Sequence, residues 1–186
     1  MDIAGWEERY RSGATGDDEA PTRLLVDTSA QLTPGTALDL ACGAGRHAIY
    51  LAKHGWNVAA IDASPTAIHL LEQRASAAGL KINTKVSDLA QPHFTLPPES
   101  FDLILIAYYL QRDLFEKVKA ATHSGGIVIA IAHTPQPGES PTLKRAAHGE
   151  LQTFFHGWDL LWQYEGPSRD PAHRHPVAEI VARLQR

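Results

Sequence analysis

The sequence predicts an α/β domain: a doubly wound, mostly parallel sheet of about seven strands with an antiparallel C-terminal hairpin. Three observations predict it. Short apolar runs alternate with helical stretches between residues 36 and 132, the rhythm of parallel strands joined by helical crossovers. A glycine-containing loop, residues 41–45, joins the first of these strands to the helix that follows. The last two strand-like runs are separated by about eleven residues, too few for a helical crossover, so they pair antiparallel.

Each element follows from its residues. Residues 1–35 are polar and mixed, but 22–32 carry the apolar spacing of a short helix that packs on a larger body. Thr33-Pro34-Gly35 ends it. Thr36–Ala41 reads as a buried strand, and Arg46–His54 as a helix stopped by Gly55. Asn57–Asp62 is a second short strand. Ser64-Pro65 opens the next helix, serine as N-cap and proline in the first turn, and it runs to about Ala78. Lys81–Ser87 alternates as a weaker third strand. Phe101–Ala107 is apolar almost throughout, as a central parallel strand is. Arg112–Thr122 reads as a helix, Ser124-Gly125-Gly126 as a turn and Ile127–Ala132 as a fifth strand. After a loop rich in proline and glycine (134–141), Glu150–Phe155 reads as a short helix, and Trp158–Glu165 and Val177–Leu184 as the hairpin. The pattern is Rossmann-like. A chain of 186 residues holds one such domain with a full core, so residues 1–186 are read as a single domain with 1–32 as an N-terminal helical cap.

Composition narrows the function classes. With 44% hydrophobic and 20% charged residues the chain is of ordinary globular type. A formal charge of −4, with both signs interleaved, argues against a nucleic-acid partner. The longest apolar run, Leu103–Leu110, is about a third of a membrane span, and the opening MDIAGWEERYRSG lacks the features of a signal peptide. A lone cysteine, Cys42, forms no internal disulfide and suits a reducing cytoplasm; in its loop it reads as a small filler. The ten histidines are scattered, and His173 and His175 have no third ligand at a metal spacing, so no metal is expected.

The chemistry concentrates in LDLACGAGRHA, residues 38–48. Gly43 permits a tight turn and close ligand approach, and Gly45 lets the helix begin against it. Asp62, nineteen residues beyond Gly43 at the end of the second strand, suits the hydroxyls of a ribose. The loop alone also matches a dinucleotide fingerprint. Asp39 separates the two: a carboxylate in a buried strand needs a partner, and an ammonium group supplies one where a pyrophosphate does not. Asp88, after the third strand, suits an exocyclic amine. Three acids at three strand ends favour a cationic ligand, and a dehydrogenase would need a further substrate region. As ordinary turn formers, aspartates also end strands without any ligand.

The segments LDLACGAGRHAIYLAKHGW, VAAIDASPTAI, SDLA, FDLILIAYYLQRDLF and SGGIVIAI resemble the successive motifs of class I S-adenosylmethionine (SAM)-dependent methyltransferases. WEERYRSG near the start and HGELQTFFHGWDLLWQYEG near the end are most similar to the tellurite-resistance and thiopurine methyltransferase group. The resemblance covers nearly the whole chain and implies SAM as cofactor. It also implies that Asp39, Ala41, Gly43 and Gly45 hold the methionine portion, with Asp62 on the ribose and Ala63 beside the adenine. Asp88 and Leu89 fall at the adenine edge, Ala107 lines the methionine side, and Trp6 and Tyr10 fold over the cofactor. Two departures stand out: the stretch ATGDDEAP (14–21) is short and acidic, and only DPAHRHP precedes the last strand, so His173 and Arg174 match the group's polar residues weakly.

Methyl transfer from a sulfonium disperses positive charge, so alignment in a dry pocket matters most, with an aromatic face adding a cation–π contribution. Tyr108 or its neighbour Tyr109 falls at the end of the fourth strand, and Arg112 and His133 follow strands four and five, where α/β sheets bind ligands. Tyr108, Arg112 and His133 are therefore the candidate substrate residues. Each also has a plainer reading, as a packed ring, a surface arginine or a solvated histidine. A thiolate or oxyanion acceptor needs no base, so no catalytic residue is assigned. The expected function is methyl transfer to a small-molecule acceptor: a thiol, a chalcogen oxyanion or a heterocycle. A non-catalytic SAM-binding protein and an oxidoreductase fragment are the alternatives.

Overall fold

A computed structural model describes residues 2–14 and 20–185. The chain divides into two compact units, Met1–Phe94 and Thr95–Arg186, each described by itself. Seven strands make a mixed sheet of the predicted kind.

The first unit holds α1 (Ile3–Arg11), α2 (Arg23–Ser29), β1 (Thr36–Leu40), α3 (Arg46–Lys53), β2 (Asn57–Asp62), α4 (Pro65–Ala77) and β3 (Ile82–Val86). Its strands run parallel in the order β3-β2-β1, with Asp39 beside Ala60 and Asp62 beside Val86. The helix α4 begins where the sequence says, because Ser64 Oγ accepts the Ala67 N–H at 3.0 Å and Pro65 fills the first turn. Ala67, Ile68, Leu71 and Ala75 form its buried stripe. By contrast, α3 starts at Gly45, which has no side chain to cap it. Capping of α3 therefore falls to a residue from elsewhere, and that residue is Asp39.

The second unit holds β4 (Phe101–Ala107), α5 (Leu114–Ala121), β5 (Thr122–His133), α6 (Glu150–Thr153), β6 (Asp159–Gly166) and β7 (Val177–Arg183), with strand order β4-β5-β7-β6. β4 and β5 are parallel; β7 runs antiparallel to both β5 and β6, the hairpin that the short connection predicts. β7 is buried along nearly its whole length, while β6, last in the order, is largely exposed.

Most element ends shift by one to three residues from those read in the sequence, and two features depart further. The fifth strand starts at Thr122, and its register with β4 jumps from Phe101↔Thr122 to Leu103↔Ile127, so the predicted turn 124–126 is a bulge within a longer strand. The helix over Ile3–Arg11 has no fully buried residue and carries too weak an apolar pattern to be read by periodicity.

Gly45 adopts φ +85°, and a Cβ there would overlap the Leu71 side chain on α4. Gly45→Ala is therefore expected to cost about 1–3 kcal/mol, through left-handed strain and overpacking together. Combining it with Leu71→Ala should relieve only the overpacking, giving a non-additive cycle in urea denaturation. Strict additivity would show that the two side chains do not meet.

Candidate functional site

The loop after β1 is built from left-handed residues at alternate positions: Ala41 at φ 55°, Gly43 at 55° and Gly45 at 85°. It is tied down on several sides. Cys42 N–H donates to the Ile61 carbonyl at 3.1 Å, Gly45 N–H to the Cys42 carbonyl at 3.0 Å, and Arg74 Nη1 to the Ala44 carbonyl at 3.3 Å. A Cβ on Gly43 would overlap Tyr10 Oη, so Gly43 lets an aromatic hydroxyl rest directly on backbone. Cys42 is buried, and burial, with Asp39 and Asp62 nearby, pushes its thiol well up. It is a packed thiol, not a thiolate.

Asp39 is 1% exposed. It accepts the N–H of Ala48, the third residue of α3, and so does the capping that Gly45 cannot. Its other oxygen, Oδ2, is buried without a hydrogen-bond partner. Burial pushes its pKa up to about 8; the Asp62 charge acts in the same direction, while the Ala48 N–H and Arg46 oppose it. An orphaned carboxylate oxygen in an apolar surround is costly and is the feature a cationic ligand would satisfy.

Asp62 stands at the end of β2 and grips the loop: Oδ2 accepts Gly43 N–H at 2.8 Å, and Oδ1 accepts Ser64 N–H at 2.9 Å. Burial raises its pKa, against the pull of the Ser64, Gly43 and Ala63 N–H groups. Ala63 is half-buried beside it. Asp88 closes a turn beyond β3, accepting Ala90 N–H and Gln91 Nε2 at 2.9 Å each, and Leu89 next to it is buried.

The helix α1 brings Trp6 and Tyr10 together, stacked at 6.0 Å, with Trp6 43% exposed and the Arg9 guanidinium 5.1 Å over its ring. One turn of helix links them, and between them lies Glu7. Its Oε2 accepts Ser64 Oγ at 2.5 Å and Thr66 N–H at 3.3 Å, and its Oε1 accepts the Thr66 hydroxyl. Those hydrogen bonds, from Ser64 first and then Thr66, hold its carboxyl below the usual range. Glu7 thus pins α1 to the start of α4. Sequence reasoning missed it, because its partners lie 57 and 59 residues away. In the short acidic stretch 14–21, residues 15–19 lie outside the described residues; next to them the Ala20 carbonyl accepts Arg46 Nη1 at 3.2 Å.

In the second unit, Ala107 ends β4 and Tyr108 follows with φ 61°, a strained angle for an aromatic residue. Tyr108 N–H donates to the Ile131 carbonyl at 2.7 Å and its hydroxyl to Asp170 Oδ2 at 2.9 Å. Its ring lies flat on His173, 3.4 Å between centroids and 7° between planes. His133, ending β5, sets its Nε2 3.3 Å from His173 Nδ1, while its own Nδ1 is buried without a hydrogen-bond partner. Burial lowers the His133 pKa, and His175 and Arg145 lower it further against the Pro176 carbonyl. Asp170, only 8% exposed, does not stand out in the sequence; nothing local marks a residue whose partner is 62 positions away.

Arg112 is engaged otherwise. Its guanidinium is clamped by both Glu150 oxygens at 2.6 and 3.0 Å and donates to the Leu143 and Thr142 carbonyls. The Tyr109 hydroxyl donates to Gln111 at 2.6 Å, and Arg174 is exposed. Among the described residues no three His, Cys, Asp or Glu side chains converge as metal ligands, and no helix is long and apolar enough to cross a membrane.

Comparison with known proteins matches this geometry. A family model, Tellurite resistance protein TehB, matches residues 18–170. A protein of Haemophilus influenzae named "Probable S-adenosyl-L-methionine-dependent methyltransferase TehB" is 27% identical over 147 residues, 74% of this chain and 50% of that protein. The chain thus spans about half the length of the curated relatives it matches. The crystal structure of TehB from Haemophilus influenzae superposes with a TM-score of 0.77 at 24% identity, covering 97% of this chain and 67% of that one. A Burkholderia thailandensis 1,6-didemethyltoxoflavin-N1-methyltransferase, solved with 1,6-didemethyltoxoflavin and S-adenosylhomocysteine, gives 0.71 at 18% identity over 99% of this chain and 87% of that one. These likenesses bear out the predicted Rossmann-like fold.

Asp39 has an ordinary pKa near 3.8 and is raised to about 8 in the folded chain. Between those values the folded state holds a proton that the unfolded state has released, so the contribution of Asp39 to stability falls as pH rises through that window. Asp39→Asn, which keeps an acceptor for Ala48 N–H, should therefore gain in melting temperature over the wild type as pH goes from 5 to 8. A constant difference across that range would show that Asp39 ionises normally.

Proposed function

The chain belongs to the tellurite resistance protein TehB family, and from that premise we propose that it is a SAM-dependent methyltransferase acting on a small molecule. One observation carries the cofactor assignment: the buried Asp39 Oδ2 that lacks a partner beside a loop whose Gly43 admits no Cβ. An ammonium group is the complement of that oxygen, and the amino group of a methionine moiety supplies one. Asp62 would take the ribose hydroxyls, since carboxylate oxygens that accept the Gly43 and Ser64 N–H groups offer further lone pairs. Asp88 and Leu89, with Ala63, would flank the adenine. Trp6 and Tyr10 would cover the ligand from α1, and Ala41, Gly45 and Ala107 would line the methionine side.

When bound, SAM supplies a methyl group on a sulfonium, whose positive charge disperses during transfer. The chain's own residues then have three tasks: to orient, to exclude water and to avoid fixed charges at the reacting carbon. Tyr108 and His133 are assigned to the acceptor, and Arg112 to holding the segment 142–150 through Glu150. On this reading residues 1–186 act as one catalytic domain with 1–32 as its cap, working in the cytoplasm without nucleic acid. A small-molecule acceptor accords with the Burkholderia enzyme, which was solved with 1,6-didemethyltoxoflavin and S-adenosylhomocysteine.

Calorimetry tests the assignment. SAM and S-adenosylhomocysteine are expected to bind and NAD is not; the reverse pattern sinks the cofactor reading. Asp39→Ala should weaken SAM by about 2–4 kcal/mol. Because Asp39 holds its proton up to about pH 8, wild-type affinity should fall about tenfold per pH unit below that value. A flat profile would remove Asp39 from the ammonium site.

A further inference from the structure

The helix α1 is held to the rest of the first unit by polar contacts more than by burial. None of its residues is fully buried, so apolar packing contributes little to its place. It is complete in itself: Asp2 caps its start through Gly5 N–H at 2.9 Å, and Arg11 pairs with Glu8 at 2.8 Å and Glu7 at 3.8 Å along its surface. Its hydrogen bonds to α4 run through one carboxylate. Glu7 Oε2 accepts from Ser64 Oγ and Thr66 N–H, and Glu7 Oε1 from the Thr66 hydroxyl. Tyr10 lies three residues on, so the two side chains share a face of the helix.

That face closes the glycine loop. Tyr10 Oη lies against Gly43, in the space that a Cβ would fill. Burial raises the Tyr10 pKa, Asp62, Cys42 and Asp39 raise it further, and Arg9 opposes them, so the hydroxyl stands among the acids assigned above to the cofactor. Beneath this cover Asp39 Oδ2 is shut off from solvent and has no hydrogen-bond partner. On the helix itself Arg9 Nε is shut off in the same way, although its Nη2 donates to the Ala14 carbonyl at 3.3 Å. A ligand cannot reach Asp39 Oδ2 while the chain stands so. Enclosed, unmatched polar atoms also cost free energy, which lowers the barrier to leaving this arrangement.

We infer that α1 is a gate over the glycine loop and that Glu7 is its latch: the cofactor enters, and its product leaves, when Glu7 releases Ser64 and Thr66. The inference rests on the cofactor reading above and adds the residue that sets the rate of exchange. With the latch released, α1 swings out, Tyr10 leaves Gly43, and Asp39 becomes accessible. With it remade, Trp6 and Tyr10 close over what has bound. Ser64 joins latch to site, since its N–H donates to Asp62 Oδ1 while its hydroxyl donates to Glu7 and accepts from Ala67 N–H. Hydrogen bonds to a charged oxygen suit a latch: they hold firmly when made, and water replaces them when they break. Glu7 is thus a positioning residue, acting through α1, and release through such lids often limits turnover.

Exchange kinetics test this without any turnover. Stopped-flow mixing with S-adenosylhomocysteine, read by tryptophan fluorescence, gives the association rate. Chasing bound tritiated S-adenosylhomocysteine with excess unlabelled compound gives the dissociation rate. Glu7→Ala should raise both rates, by about tenfold or more, and Glu7→Gln, which keeps one acceptor oxygen, should raise them less. A residue that only builds the binding surface would lose affinity through faster dissociation alone, so faster association is the deciding observation. An association rate that Glu7→Ala leaves unchanged or lowers overturns the inference. Thr66→Val removes one donor to the latch and leaves Ser64 to cap α4; it should shift both rates the same way, and it decides the matter should Glu7→Ala fail to fold. If the wild type binds neither SAM nor S-adenosylhomocysteine, the cofactor reading fails and the gate falls with it. If it binds them at rates indifferent to Glu7 and Thr66, the gate alone fails.

Discussion

A single buried carboxylate, Asp39, organises the glycine loop and the helix that follows it. No packing requirement puts Asp39 in a buried strand, where an apolar residue would sit at lower cost. It does two things that no apolar residue can. One oxygen caps α3 through Ala48 N–H, because the glycine loop that must precede that helix ends in Gly45, which offers no cap. The other oxygen is left without a hydrogen-bond partner. Ionised and unpaired, such a group costs several kcal/mol, so the chain holds it protonated up to about pH 8 and a bound cation would draw the proton off. Any ligand that completes Asp39 would therefore stabilise the fold by mass action.

The glycine loop in turn depends on what surrounds it. Asp62 holds the Gly43 N–H, Arg74 holds the Ala44 carbonyl, and Leu71 fills the space that Gly45 leaves open. Glu7 adds the least obvious member. By accepting from Ser64 and Thr66 it places α1 so that Tyr10 lies on Gly43, and it does so at the residues next to Asp62 in sequence. Asp62, the cap of α4 and the stacked rings of α1 thus share one network, whose members hold one another in place.

How much of this was legible follows from the range of each interaction. The strands and their helices were, because burial on both faces writes continuous apolar runs such as Phe101–Ala107, and because caps such as Ser64-Pro65 are local. Asp39 was legible for the opposite reason: a carboxylate in a buried strand breaks the local rule, and such breaks mark functional positions. What escaped depends on tertiary partners. Glu7 and Asp170 act over 57 and 62 residues, and Arg112 looks like a free cation in sequence only because Glu150, its partner, is 38 residues away. The helix Ile3–Arg11 buries none of its residues fully, so it leaves little hydrophobic pattern to read. The bulge in β5 escaped too, since a Gly-Gly pair announces a turn but not whether the ladder resumes on its far side.

The two units also differ in the sign of what they leave unsatisfied. In the first, carboxylates dominate: Asp39 and Asp62 are both raised by burial, a setting that attracts positive charge. In the second, three arginines are ion-paired, Arg112 with Glu150, Arg145 with Glu139 and Arg169 with Glu179, and burial pushes His133 toward its neutral form. A reaction that begins with a positive sulfonium and ends with a neutral thioether gains little from fixed cations on the acceptor side, because they would repel the starting charge. It gains more from a neutral, oriented environment. On the proposed reading, clamping arginines in ion pairs while stacking two rings at 3.4 Å would offer such an environment.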